Sequence, residues 1–176
     1  MLFQEVELLG AYLIELECRG DQRGFFARTF CAKEFEAEGL KAGFVQQNIS
    51  TSAQKGTLRG LHRQTDPHAE VKVVRCVRGA IFDVIVDVRP DSPTHLKWQG
   101  FELSEHNKRQ LYVPEGFLHG FQALTDDVEV TYLVSAYYSA QAETGARYND
   151  PAFEIEWPMP PTVISDKDNS WNDFER

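Results

Sequence analysis

Short runs of β-branched and aromatic residues, broken at near-regular intervals by turn formers, constrain this chain more than any other feature. AYLIELE (residues 11–17), VKVVRCV (71–77), AIFDVIVDV (80–88), RQLYVP (109–114), GFQAL (120–124) and VEVTYLVSAYY (128–138) are rich in Val, Ile, Tyr and Phe, and RPDSPT, PEGF and TDD stand between them. The pattern predicts many short strands joined by turns, an antiparallel sandwich or barrel. In FDVIVDV, Phe82, Val84, Val86 and Val88 alternate with Asp83, Ile85 and Asp87, the period of a strand with one strongly buried face. Val128, Val130, Tyr132 and Val134 likewise share a face, so the Tyr132 hydroxyl points toward whatever core or cavity that face meets.

Only CAKEFEAEGL (31–40) reads as a helix, with Gly39 as its stop. From about Asn149 onward, Pro151, Pro158, Pro160 and Pro161 exclude a long central strand or helix. This tail is expected to run over the barrel surface and to end in the charged stretch SDKDNS. No internal repeat or linker divides the 176 residues. They read as one domain, 1–176, of a size that buries roughly 70% of its unfolded surface.

Charge and cysteine content narrow the function classes. A formal charge of -9 argues against a nucleic-acid or membrane-surface binder, both of which need an extended basic field. Cys18, Cys31 and Cys76 are widely spaced and form no CxxC pair, which disfavours a disulfide framework or a structural zinc site and fits a reducing compartment. The opening MLFQEVELLGAYLIELE is interrupted by Glu5, Glu7, Glu15 and Glu17, unlike a signal peptide, and no apolar run reaches membrane-span length. The expectation is a cytoplasmic protein.

Two segments concentrate polar residues suited to chemistry: GTLRGLHRQTDPHAEVKVVRCVRG (56–79) and VPEGFLHGF (113–121), the latter with a PxGxxH turn formed by Pro114, Gly116 and His119. Together they resemble the two motif regions of the cupin superfamily, a jelly-roll barrel whose histidines face inward. A cupin metal site uses an HxH pair, a glutamate and the histidine of the second motif. Here His62 is followed by Arg63 and Gln64. Glu70 and His119 would complete at best a three-ligand set, and Lys72 or Arg59 nearby would repel a divalent cation. Arg59, His62, Lys72, His119 and Tyr132 remain. Singly, each reads as an ordinary structural or solvated side chain; as a group they supply a base, a cation for a developing oxyanion and a proton donor, the parts needed to move protons beside a carbonyl.

Nearly end to end, through DQRGFFARTF, FVQQNIS, KGTLRGLHRQ, VKVVRCVRGAIFDVIVDVR, LYVPEGFLHGF, VEVTYLVSAYY, YNDPAF and SDKD, the chain resembles the dTDP-4-dehydrorhamnose 3,5-epimerases. The resemblance implies an all-β, cupin-type double-stranded β-helix with a few short helices and an extended C-terminal tail. It also implies a homodimer without metal or other cofactor that acts on a dTDP-linked 4-keto-6-deoxy sugar. By that resemblance His62 is the base, paired with Asp168, Lys72 stabilises the C4 enolate, and Tyr132 is the acid on the opposite face. Arg23, Phe26, Arg28, Gln46, Asn48, Arg59, His119, Glu143 and Lys167 would bind substrate. Phe25 and Phe26 either stack on the thymine or fill the core, and in the family the N-terminal segment reaches the site of the other subunit.

The chain departs from the family pattern in two places. Arg28 stands where a glutamate is usual, and QQNIS, with Gln47 and Ile49, replaces a QDNHS-like run. Both bear on the nucleotide and the sugar, not on the proton-transfer set. Inversion of a single carbon, another nucleotide-linked 4-keto sugar, a sugar-nucleotide-binding cupin without turnover and a metal-dependent cupin dioxygenase are the alternatives. Strand parity poses one further problem: Arg59 and His62 fall on opposite faces of a regular strand, so both reach one pocket only through a bulge or strand end near Gly60.

Overall fold

The computed structural model describes residues 1–175. In chain order its strands are β1 (Leu2–Glu5), β2 (Tyr12–Glu15), β3 (Arg19–Asp21), β4 (Gly24–Phe26), β5 (Gln46–Ser52), β6 (Leu58–Gln64), β7 (Lys72–Arg78), β8 (Ala80–Asp87), β9 (Trp98–Ser104), β10 (Gln110–Val113), β11 (Phe117–Ala123), β12 (Val128–Val134) and β13 (Glu143–Gly145). A six-stranded sheet, β1-β2-β10-β7-β12-β5, faces a five-stranded sheet, β13-β6-β11-β8-β9, and β3 and β4 form a separate hairpin. All strand ladders are antiparallel. The architecture is all-β and antiparallel, as the turn-punctuated sequence predicts, and of the cupin-type jelly-roll kind that the resemblance implies.

Both faces of each sheet are covered, at least in part, and this decides where the polar residues lie. Between the sheets, Val74, Cys76, Ile81, Ile85, Leu111 and Val130 belong to one buried cluster. The outer face of the five-stranded sheet carries a second, in which Leu61, Val84, Val86 and Leu118 meet Phe153, with Trp157 and Phe174 of the tail packed against them. On the outer face of the six-stranded sheet, Ile14, Val73 and Tyr112 pack against Phe35 of the short helix α1 (Ala32–Ala37). Gly39 follows that helix at φ +72, with the amide of Leu40 returning to the Phe35 carbonyl at 2.9 Å, a left-handed helix end that suits glycine.

The alternation in FDVIVDV is real, but it does not separate a buried face from a solvated one. Asp83 and Asp87 are fully buried along with Val84, Ile85 and Val86. The tail covers the side bearing the valines, so the aspartate side turns inward between the sheets and its carboxylates need protein partners.

Asp87 is satisfied by its own loop. It accepts hydrogen bonds from Arg89 Nε at 2.8 Å and Nη2 at 2.7 Å, from the Ser92 hydroxyl at 2.5 Å and from the Thr94 hydroxyl at 2.6 Å. The turn signal RPDSPT is therefore also the cage for a buried carboxylate.

The tail is less superficial than its prolines predict. The Gln122 amide donates to the Met159 carbonyl at 2.8 Å, the Leu58 amide to Val163 at 2.8 Å, and the Phe174 amide to Asp150 Oδ2 at 2.7 Å. Between these anchors, SDKDNS forms helix α2 (Asp166–Asn169), started by Ser165, whose hydroxyl accepts the Asp168 amide at 3.0 Å. This charged stretch is exposed along most of its length, but through the buried Asp168 it walls a cavity between the sheets.

Burial pushes the Asp87 carboxyl up, but the Arg89, Ser92 and Thr94 hydrogen bonds outweigh it and hold the group at about 2, against an ordinary 3.8. A depressed carboxylate contributes stability above its unfolded value that is lost as pH falls through the folded one. Unfolding free energy is accordingly expected to fall between about pH 4 and pH 2 by roughly 1–2 kcal/mol from this group. Denaturant melts of the protein and of Asp87→Asn across that window check this, the variant losing that component of the acid dependence.

Candidate active site

A cavity of about 430 Å³ opens between the two sheets. Arg59 and His62 of β6 and His119 of β11 line it from the five-stranded sheet, Lys72 of β7, Tyr132 of β12 and Ser50 of β5 from the six-stranded sheet, and Lys167 and Asp168 of α2 from the tail. An adjoining space of about 150 Å³ shares His62, Lys72 and Tyr132 and adds Gln46, Asn48, Glu70 and Glu143.

Arg59 and His62 reach the same cavity because β6 carries an irregularity where parity demands one. His119 pairs with His62 and Phe121 with Arg59, so Gly60 and Leu61 oppose Gly120 alone, and the extra residue returns His62 to the inner face. Gly60 has φ +122, and a Cβ there would lie 2.5 Å from the Gly120 Cα and 2.9 Å from the His119 carbonyl oxygen. A Cβ on Gly120 would lie 2.6 Å from the Arg59 carbonyl oxygen. Two glycines thus let the backbones of β6 and β11 approach closely beside the paired histidines. Arg59 is braced on β5, donating to the Thr51 carbonyl at 2.7 Å and the Ser52 hydroxyl at 3.3 Å.

His62 Nε2 lies 2.6 Å from Asp168 Oδ1, and Asp168 Oδ2 accepts the Gly60 amide at 3.2 Å. Burial works against the Asp168 charge, but the His62 contact, the Gly60 amide and the Ser165 hydroxyl prevail and keep the carboxyl below its ordinary value. An ionised Asp168 accepts the proton of Nε2, which leaves the lone pair on Nδ1, the nitrogen without a protein partner among the described residues. The Trp171 ring stands 6.4 Å from the imidazole, centroid to centroid, at a tilted angle.

Across the cavity, burial raises the Tyr132 phenol above its ordinary value, the Glu70 carboxylate adds to the rise, and Arg59 opposes it. A raised phenol stays protonated at neutral pH and keeps its proton to give. Lys72 Nζ lies 3.4 Å from Glu70 Oε1, both side chains being nearly buried.

His119 Nε2 lies 2.9 Å from Oδ1 of the buried Asp83, whose Oδ2 has no partner. Asp83 and Glu70 are neighbours that the sequence hid. Asp83 sits on the polar half of an alternating strand, and Glu70 stands out only as a metal-ligand candidate. The three possible ligands point to different partners, His62 to Asp168, His119 to Asp83 and Glu70 to Lys72, and among the described residues no group of three or more His, Cys, Asp or Glu side chains is placed to hold an ion.

The remaining expected binding residues divide into two sets. At the rim, Glu143 accepts from Lys167 Nζ at 2.6 Å and from the Tyr138 hydroxyl at 2.7 Å, while Gln46 Oε1 accepts the Tyr138 amide at 2.8 Å. Burial pushes the Glu143 carboxyl up, but these donors outweigh it and hold it below its ordinary value. Arg23, Phe26 and Arg28 are not brought to the cavity of their own chain. Arg23 pairs with Asp21 at the exposed tip of the β3–β4 hairpin, Arg28 pairs with Glu34 at 2.6 Å, and Phe26 is 72% exposed. Lys108 Nζ lies 4.8 Å from the Phe25 ring centroid, and that ring too is largely exposed, so neither aromatic fills the core.

A jelly roll with a histidine–aspartate pair on one wall and a lysine and a protonated tyrosine on the other places the chain among the cupin-type isomerases. Comparison with known proteins narrows the class. The dTDP-4-dehydrorhamnose 3,5-epimerase family model matches residues 5–176. The dTDP-4-dehydrorhamnose 3,5-epimerase of Shigella flexneri is 47% identical over 171 residues, covering 97% of this chain and 94% of that protein. Among solved structures, the Bacillus anthracis enzyme of that name, with TDP and PPi bound, is 44% identical with a TM-score of 0.95, covering 98% of this chain and 99% of the other. The Legionella pneumophila dTDP-6-deoxy-D-glucose-3,5-epimerase, in complex with dTDP-4-keto-L-rhamnose, is 39% identical with a TM-score of 0.91, covering 97% and 90%. The chain belongs to the dTDP-4-dehydrorhamnose 3,5-epimerase family.

The close approach at Gly60 makes a direct expectation. Gly60→Ala adds a Cβ against the backbone at a positive φ and is expected to cost about 2 kcal/mol or more, with His62 displaced from the cavity. Thermal melts and a circular-dichroism check of the folded fraction measure it; Gly43→Ala, at a glycine with open space around it, is expected to change the melting temperature little.

Proposed function

We propose that this chain inverts C3 and C5 of dTDP-4-dehydro-6-deoxy-D-glucose to give dTDP-4-dehydro-L-rhamnose. The observation that carries the reading is the His62–Asp168 pair facing Tyr132 across a cavity that also receives Lys72. Both carbons flank the C4 ketone, so loss of either proton is assisted through the same enolate.

His62 Nδ1 takes the proton, the C–H electron pair moves into the enolate, and the negative charge on O4 faces the Lys72 ammonium. Carbon then takes a proton from the Tyr132 hydroxyl, the enolate electron pair re-forms the C–H bond on the other face, and exchange with solvent returns the His62 imidazolium and Tyr132 phenolate to their neutral forms before the second carbon reacts. An imidazole and a C–H beside a ketone differ by on the order of ten pKa units, or about 14 kcal/mol, so the base needs help. Asp168 stabilises the imidazolium as it forms, and Lys72 stabilises the enolate in a partly dehydrated site where such contacts are strengthened. The opposed walls supply the two faces: the base comes from the five-stranded sheet and the acid from the six-stranded one.

In this reading Arg59 and Lys167 hold the diphosphate, since charge-assisted contacts to phosphate are strong, Gln46 and Asn48 lie near the base or sugar, and His119 and Glu143 complete the binding set. The distance of Arg23, Phe26 and Arg28 from their own cavity supports a homodimer in which the β3–β4 hairpin of one copy covers the nucleotide in the other. Residues 1–176 act as a single domain in this scheme. The three cysteines are free, Cys18 being exposed, and no helix among the described residues is long and apolar enough to cross a membrane; both accord with a cytoplasmic site of action.

In deuterated water, label is expected to enter the substrate at both C3 and C5. Entry at one carbon only marks a single-centre epimerase, and entry at neither, with nucleotide bound, would falsify the reading. His62→Ala and Tyr132→Phe are each expected to lower turnover by about 10² or more while calorimetric affinity for dTDP stays near that of the parent protein. For the dimer, His62→Ala is mixed with Arg23→Ala/Phe26→Ala, two preparations each of low activity. Activity is expected to reappear on subunit exchange, because a mixed dimer holds one complete site; no recovery once exchange is shown by mass would sink the shared-site arrangement.

A further inference from the structure

The cavity contains one carboxylate that the scheme leaves idle. Glu70 lies in the segment that leads into β7, its side chain 11% exposed, with Oε1 3.4 Å from Lys72 Nζ. Its other oxygen accepts Gln64 Nε2 at 3.2 Å. Gln64 is itself buried and immobilised: its Oε1 accepts the Ser139 amide at 2.6 Å, and its Nε2 also reaches the carbonyls of His68 at 3.0 Å and Tyr137 at 3.3 Å. A carboxylate held in this way has little freedom to swing out to water, and its charge faces inward.

The groups that share this part of the cavity are His62 and Arg63 of β6, Lys72 of β7, Tyr132 of β12, and Tyr138 with Glu143 from the segment after it. Glu143 is engaged by Lys167 and Tyr138. Among the described residues lining this space, that leaves Glu70 as the carboxylate not tied up at the rim. We infer that Glu70 is a positioning residue for the reaction proposed above, an anion fixed by Gln64 that holds the Lys72 ammonium at the enolate and keeps Tyr132 a phenol until carbon takes its proton.

The electrostatics give the inference its direction. Proton abstraction turns His62 into a cation in a cavity already holding Lys72 and Arg59, and a fixed anion beside Lys72 offsets that accumulation. The same anion disfavours a phenolate at Tyr132 before the enolate has formed, whereas Arg59 pulls the other way. A Glu70 that served only to pack the segment before β7 would affect folding and leave the phenol untouched.

Tyrosine labelled with ¹³C at Cζ reads the phenol directly, with the Tyr132 resonance assigned by its loss in Tyr132→Phe. In Glu70→Gln, which keeps the side-chain shape and an acceptor for Gln64, the alkaline midpoint of Tyr132 is expected to fall. The alkaline limb of kcat is expected to move with it while dTDP affinity is unchanged. Glu70→Ala, the second variant should the first fold poorly, is expected to shift the midpoint in the same direction. A Tyr132 midpoint that stays at the parent value in the folded variant overturns the inference. The titration needs no turnover, so failure of the solvent-exchange assay would refute the proposed reaction separately from this result.

Discussion

The approach of two backbones at Gly60 and Gly120 is the constraint on which the site depends. β6 must present Arg59 and His62, three residues apart, to one cavity, and a regular strand turns them to opposite faces. The extra residue restores the parity, and it fits only because neither glycine carries a Cβ: each added carbon would sit within 2.6 Å of the opposing backbone. The Gly60 amide is turned to Asp168 by the same local conformation. A single irregularity therefore orients the histidine and helps to stabilise the charge of its aspartate.

Burial on every side explains the rest of the polar arrangement. Because the tail covers the outer face of the five-stranded sheet, β8 has no solvated side, and its aspartates turn inward. One is caged by its own turn, through Arg89, Ser92 and Thr94, and supports the fold. The other meets His119, which lines the cavity. Identical residues at positions four apart in one strand thus serve structure and site, separated by what lies opposite them.

The two sheets also divide the chemistry. His62 and Tyr132 stand on facing walls, the arrangement that the proposed inversion at carbon needs, and the tail supplies the carboxylate that pairs with the imidazole. Lys167 and Asp168, adjacent in sequence, point to different tasks: the lysine pairs with Glu143 at the rim, while the aspartate is buried against His62. The exposed hairpin, with Arg23 at its tip and Phe26 beside it, is turned away from the cavity of its own chain, which suits the proposed role in a second copy's site.

Much of this is legible in the residues. Turn-punctuated runs of Val, Ile, Tyr and Phe specify an antiparallel β fold, because such residues suit a pleated surface and the turn formers interrupt it. The match of motif segments pairs His62 with Asp168, and the parity conflict between Arg59 and His62 already calls for a bulge at Gly60. Other features were not legible. Alternation in β8 records a strand but not which face meets water, since covering by the tail is a contact between segments some seventy residues apart in sequence. SDKDNS is marked by the resemblance as the source of Asp168, but not as a helix that Ser165 caps. Glu70 is marked in the sequence only as a possible ligand of a cupin pattern, not as the buried partner of Lys72. Local pattern is set by neighbours along the chain, whereas the charge state and role of a buried group are set by what the tertiary structure folds against it.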